Sequence, residues 1–357
     1  ILANQRQVAM RERMVAEESV IPRPEITART IAPATLPDAM PPQPLEEIGR
    51  DRFDDLAINP LKLTSEEPVS TFSIDVDTAS YSFVRGQLNR GVLPQPNAVR
   101  IEEMVNYFDY TYPVPEDRTQ PFAPSVAVYP TPWNNNTHIM HVGIKGYELP
   151  NDERPRANLT FLLDTSGSMT SSDKLPLLQQ SMRMLVEELE PDDTIAIVTY
   201  AGAAGVVLEP TPVAERRKIL NAINNMTAGG STAGGEGIKL AYDLAAESFD
   251  DEAVNRVILG TDGDFNVGIT DSEELKGFIE RQRDSGVFLS VLGFGAGNYN
   301  DSLMQALAQN GNGTAAYIDT VQEARKVLVE EAGSTLFPIA KDVKIQVEFN
   351  PNQISEY

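Results

Sequence analysis

The chain has 357 residues, 52 acidic and 29 basic, for a formal net charge of −23. That balance excludes a nucleic-acid surface, which needs cations to neutralise phosphates, and equally a polybasic membrane patch. No cysteine is present, which excludes disulfides, thiolate zinc sites, iron–sulfur clusters and cysteine nucleophiles.

Two histidines, His138 and His141, leave a Ser-His-Asp triad almost nothing to draw on. No run reaches the 18 apolar residues of a membrane-spanning helix. The first residue is Ile1 and not Met, the expectation for a processed chain or a fragment.

Proline divides the sequence: 17 of its 25 prolines lie at or before Pro132. Residues 1–18 have the pattern of a short helix, and seven prolines between Pro22 and Pro44 predict an extended arm. Residues 1–64 therefore read as helix plus arm, the arm lying on its own body or on a neighbouring copy. Residues 65–150 read as a small α+β region. It has a strand at 69–76, helices at 78–90 and 97–108 (N-capped by Thr78 and Asn97), and strands at 125–130 and 138–147 around a turn at Pro132-Trp133.

From Asn158 the period changes. Short apolar runs at 159–163, 194–200, 256–261, 287–294 and 315–318 alternate with amphipathic stretches at 174–189, 213–224, 235–248, 271–283, 300–309 and 321–331. Alternating strands and helices predict an α/β fold, a doubly wound, mostly parallel sheet over 155–335. Residues 336–357 return to strand character, with VKIQVEF at 343–349 expected to pair with strands in 122–147. The α/β unit is thus expected to be inserted in, or flanked by, a smaller α+β or β-rich domain.

The first buried strand runs into Asp164-Thr165-Ser166-Gly167-Ser168. Asp164, Ser166 and Ser168 sit at alternate positions and can face one crevice at the carboxyl edge of the sheet. Oxygen-only donors suit a hard cation, Mg²⁺, Mn²⁺ or Ca²⁺, rather than zinc or copper. Two further pieces fit the same crevice: Thr232 on the Gly229-Gly230 turn, and Asp262 at the end of the strand that starts near Arg256.

These residues resemble the metal-ion-dependent adhesion site of the von Willebrand factor type A domain. Asp164-x-Ser166-x-Ser168, Thr232 and Asp262 match it in order, type and strand context over roughly 158–335. The flanks FSIDVDTASY (72–81), RIEEMVNYFDY (100–110) and PWN (132–134) are similar to bacterial envelope proteins of the YfbK-like type. The resemblance implies a bound divalent cation, Mg²⁺ or else Mn²⁺ or Ca²⁺, with one coordination position left for an Asp or Glu carboxylate of another protein. It implies a non-enzymatic adhesion or scaffold module outside the cytoplasm, in periplasm or at the cell surface, with membrane association through a segment outside this sequence. Self-association through the arm is a further expectation.

Two other readings compete. The chain could be a structural subunit of an envelope assembly whose metal site is vestigial or stabilising. Asp75-Val76-Asp77-Thr78 also matches the DxDxT of Mg²⁺-dependent aspartyl phosphatases, but a strand followed by so proline-rich a region offers no surrounding parallel sheet. The bland readings are a strand-end pair for Asp75 and Asp77, satisfied strand residues for the histidines, a packing anchor for Trp133, a turn cap for Asp192-Asp193 and a solvated Asp264.

Overall fold

The computed structural model describes residues 51–54, 59–73, 76–150, 153–230, 234–263, 272–331, 337, 339–340 and 343–357. The expected N-terminal helix and proline arm, and Thr232, Asp75 and Asp264, lie outside these residues.

A six-stranded sheet carries the second half of the chain. Its strands are β4 (Ala157–Asp164), β5 (Thr194–Tyr200), β6 (Ala204–Pro212), β7 (Val254–Thr261), β8 (Val287–Phe294) and β9 (Ala315–Ile318), in spatial order β6-β5-β4-β7-β8-β9. All neighbouring pairs are parallel except β5–β6, which is antiparallel. The chain winds from β4 outward through β5 to β6, then returns to the other side of β4 as β7. The order therefore reverses between β4 and β7, where an open α/β sheet has a crevice at its carboxyl edge.

The inner strands β4, β5, β7 and β8 are mainly apolar and buried because helices cover both faces. Leu159, Phe161 and Leu163 point to one face, beneath α3 (Leu175–Glu188), α4 (Arg216–Asn225) and α8 (Val321–Arg325). Leu162 points to the other, with Val257, Leu259 and Val291. There it meets α5 (Gly234–Glu247), α6 (Ser272–Asp284) and α7 (Asp301–Asn310). The period-2 alternation of β4 thus feeds two separate cores, and each fully buried Leu or Phe contributes about 1.5–3 kcal/mol.

The earlier region supplies a further helix to the second face. In α1 (Ala79–Asn89), Phe83 is buried and packs its ring against Phe53, Tyr299 and Tyr317. Arg85 reaches from this helix to Asp319 and Glu323. The short α2 (Ile101–Asn106) begins at Arg100, whose guanidinium holds both oxygens of Asp301 at 2.6 and 3.0 Å. Asn97 falls in a 3₁₀ turn (Pro96–Ala98) ahead of this helix and does not cap it, and Thr78 makes no side-chain cap to α1.

The outer strands pair differently from expectation. Strand β10 (Lys344–Glu348) pairs antiparallel with β1 (Val69–Ser73), not with strands in 122–147. Strands β2 (Phe122–Thr131) and β3 (Asn134–Gly146) pair with each other across the tight Pro132-Trp133 connection. Closing so short a loop costs little entropy, and Pro124 and Pro130 deprive β2 of two amide donors for another neighbour. The pairing of β1 continues outward through Lys62, whose N–H and C=O both bond to Tyr357. Strand β6 went unforeseen because Pro210 and Pro212 interrupt its apolar pattern, as an antiparallel edge strand allows.

Candidate functional site

Strand β4 ends at Asp164, which pairs in register with Tyr200 at the end of β5. The chain then turns sharply. Asp164 Oδ1 accepts a hydrogen bond from the Ser166 N–H at 2.8 Å, a local Asx turn that sets the two side chains on one side. A single 3₁₀ turn, Gly167–Thr170, follows. The hydroxyls of Ser166 and Ser168 come within 2.9 Å of each other. Asp164 and Ser166 are buried, whereas Ser168 is exposed, so the pair of hydroxyls spans from the sheet edge to solvent.

A second loop is tied to the first. The Gly229 N–H donates to Thr165 O at 2.8 Å, and the Gly167 N–H donates to Gly230 O at 3.0 Å. The chain leading to Thr232 is therefore held against the 165–168 turn by backbone bonds from both sides, with Gly230 at φ +89°.

Asp262 follows β7, one strand over. Its side chain is fully buried, and Thr261 Oγ1 beside it reaches Asp164 Oδ2 at 3.5 Å. The next residue, Gly263, has φ +100°, and a Cβ there would lie 2.5 Å from Asn298 O. Only glycine allows the loop after β8 to close this near to the crevice.

Beside Asp262 stands a residue that sequence reasoning passed over. Lys174, at the N-cap of α3, donates from Nζ to Asp262 Oδ2 at 3.0 Å, and its side chain is 10% exposed. Its stem crosses Gly295, where a Cβ would overlap Lys174 Cγ and Cε. In sequence Lys174 stands at the start of the amphipathic stretch 174–189 and carries no signal of its own. The available signal was the glycine-rich run Gly293–Gly297, which marks a close approach to something.

The electrostatics follow from burial. Desolvation, with the charge of Asp262 behind it, pushes the Asp164 carboxyl up to about 6, against hydrogen bonds from Ser166 and Tyr200 that favour the ionised form. Burial, then the charge of Asp164, raises the Tyr200 hydroxyl well above the usual phenol range. Two carboxylates at one buried edge thus create a demand for positive charge.

A hard cation fits this donor set. Among the described residues no group of three or more His, Cys, Asp or Glu is placed to hold a metal ion. A cation here would instead be held by two carboxylates and neutral hydroxyls, as hard oxygen chemistry requires. The ammonium already seated on Asp262 shows that the crevice accommodates positive charge.

The remaining residues carry less. β1 lies in a two-stranded antiparallel pair and not in the parallel sheet, so the context a DxDxT phosphatase needs is missing around Asp77. His138 and His141 fall on opposite faces of β3, and His141 Nε2 meets the Tyr112 hydroxyl at 2.8 Å. Trp133 is 77% exposed at the hairpin tip, where the two-residue turn projects it outward, so among the described residues it is no packing anchor. Asp193 accepts from the backbone N–H of Ala157 and Glu190 and pairs with Arg154, which closes the turn into β5.

Comparison with known proteins adds the family context. The model described as von Willebrand factor type A domain matches residues 158–330, one described as von Willebrand factor matches 47–141, and one described as the C-terminal region of YfbK matches 334–357. The chain is similar to the uncharacterized protein YfbK of Escherichia coli (strain K12), 45% identical over 315 residues that cover 87% of this chain and 55% of that protein. It is also similar to the uncharacterized protein sll0103 of Synechocystis sp., 32% identical over 173 residues, 48% of this chain and 40% of that protein. The chain spans only about half the length of these relatives. Among solved structures it resembles BatB from Bacteroides thetaiotaomicron, 23% identical, with 50% of this chain and 98% of that chain covered at a TM-score of 0.42.

Proposed function

We propose, for a chain that belongs to the von Willebrand factor type A domain proteins and carries a YfbK-type C-terminal segment, a non-enzymatic interaction module gated by a divalent cation. Domains of this family mediate protein–protein contact. Here Asp164, Ser166, Ser168, Thr232 and Asp262 would hold the ion, Mg²⁺ first and Mn²⁺ or Ca²⁺ as alternatives. When bound, the cation supplies an open coordination position for one more oxygen. What supports this reading is that the buried Asp164 and Asp262 lie at the ends of the adjacent strands β4 and β7, at the reversal point of the sheet, with the Ser166 and Ser168 hydroxyls 2.9 Å apart on the turn after Asp164.

Each residue has a distinct part. Asp164 fixes the turn through Ser166 N–H and keeps a negative charge at the sheet edge. The serines offer neutral oxygens, which leave a dication under-neutralised. Asp262 supplies the second charge from β7. An Asp or Glu carboxylate from another protein completes the balance, so the partner's grip depends on the ion. A net charge of −23 makes that dependence stronger, because an acidic partner is otherwise repelled.

Mn²⁺ tests this directly. Binding of Mn²⁺ should enhance water-proton relaxation, and addition of a Glu-bearing peptide should lower that enhancement as its carboxylate takes the open position. Relaxation unchanged by the peptide would contradict the carboxylate step. We place the protein outside the cytoplasm on its resemblance to envelope proteins. Fractionation of cells carrying the tagged full-length protein checks this, and a cytosolic signal would overturn it. Among the described residues no helix is long and apolar enough to cross a membrane.

A further inference from the structure

We infer that Lys174 is a tethered counter-ion of the site, so that cation binding is an exchange in which the Lys174 ammonium leaves Asp262 as the dication arrives. The inference rests on the site reading above, and extends it to what sets metal affinity.

Three observations carry it. First, Nζ donates to Asp262 Oδ2 at 3.0 Å, and Asp262 is one of the two buried acids that flank the crevice. Second, the lysine is itself buried: its side chain is 10% exposed and that of Asp262 is 0%. A surface pair of this kind would be worth little, but here both charges are withdrawn from water, where breaking an ion pair is costly. Third, the route of the stem is built into the backbone. Gly295 adopts φ +70° where any Cβ would overlap the stem, so the turn after β8 is shaped around this side chain.

The consequence is electrostatic. Without metal, Asp164 and Asp262 are two carboxylates in one desolvated pocket, and the ammonium offsets part of their repulsion. A dication at the same carboxylates is repelled by an ammonium in direct contact with one of them. Occupancy by the lysine and by the metal are therefore antagonistic. The lysine keeps the metal-free domain folded and weakens metal binding. A partner carboxylate, which adds negative charge to the metal-bound form alone, would then shift the exchange toward the ion.

The test compares the full chain with Lys174→Met, which keeps the stem and removes the charge, and Lys174→Arg, which keeps the charge. Mn²⁺ affinity is read by titration calorimetry, and melting temperature is read in EDTA and in Mn²⁺. Lys174→Met should bind Mn²⁺ at least about tenfold more tightly, the scale of a close buried charge pair. It should also melt lower than wild type in EDTA and recover in Mn²⁺, whereas Lys174→Arg should behave as wild type in calorimetry. Equal or weaker Mn²⁺ binding by Lys174→Met would overturn the exchange while leaving the metal site intact. Mn²⁺ binding by none of the three proteins would instead remove the site reading itself, and the exchange with it. A second measurement needs no variant: amine labelling of Lys174 in the wild-type protein, read by mass spectrometry, should rise on addition of Mg²⁺. Labelling that does not change would contradict release of the ammonium.

Discussion

The Asp51 carboxylate accepts a hydrogen bond from the Tyr299 backbone N–H at 2.9 Å, joining residues 248 positions apart. The same Oδ1 accepts from the Gly297 N–H at 3.1 Å, and Arg52 adds backbone bonds to Tyr299 and Asp301. The loop between β8 and α7 is the one that closes over Gly263, next to Asp262. The segment ahead of the α/β domain therefore fixes the rim of the candidate site.

Asp51→Ala should leave the buried Tyr299 amide and the half-buried Gly297 amide without their acceptor, at a cost of about 1–3 kcal/mol. Urea unfolding measures the loss. Amide exchange should localise it: Gly297 and Tyr299 lose protection, while the β4 and β7 amides keep theirs.

Arg100 joins α2 to α7 through Asp301 and also pairs with Glu103, all three side chains being buried. Arg100→Met strands two carboxylates in a desolvated site and should destabilise the protein by about 3–5 kcal/mol. The triple variant with Glu103→Gln and Asp301→Asn should regain much of that loss in the same unfolding assay, because no charge is then left uncompensated.

Trp133 offers the opposite case. It is exposed at the hairpin tip, so Trp133→Ala should shift stability by no more than about 0.5 kcal/mol in thermal melts. A large loss would mean that the ring packs on something.

Much of the α/β domain is legible in the sequence because parallel strands buried on both faces read as apolar runs, and β5, β8 and β9 begin and end where those runs do. Asp164, Ser166 and Ser168 are legible for a local reason: one strand end and one turn place all three. What escapes has a non-local cause. Lys174 meets Asp262 across 88 positions, and Asp51 meets Tyr299 across 248. No periodicity encodes such contacts. Strand β10 could be recognised as a strand, but its alternation fits several partners, and only the folded chain selects β1. Strand β6 hides behind its prolines.

Removing the charge at the end of β4 should separate folding from metal binding. Asp164→Asn keeps the shape of the side chain and deletes a buried carboxylate that burial already disfavours. In EDTA this variant should melt no lower than wild type, while added Mn²⁺ should raise the wild-type melting temperature alone.

The most direct test of the central claim is a Mn²⁺ titration of the full chain followed by electron paramagnetic resonance, with wild type beside Asp164→Ala. The wild-type protein should take up one Mn²⁺ per chain, competed by excess Mg²⁺, and the variant should take up none at the same concentrations. Uptake by both proteins alike, or by neither, would contradict a cation site built on Asp164.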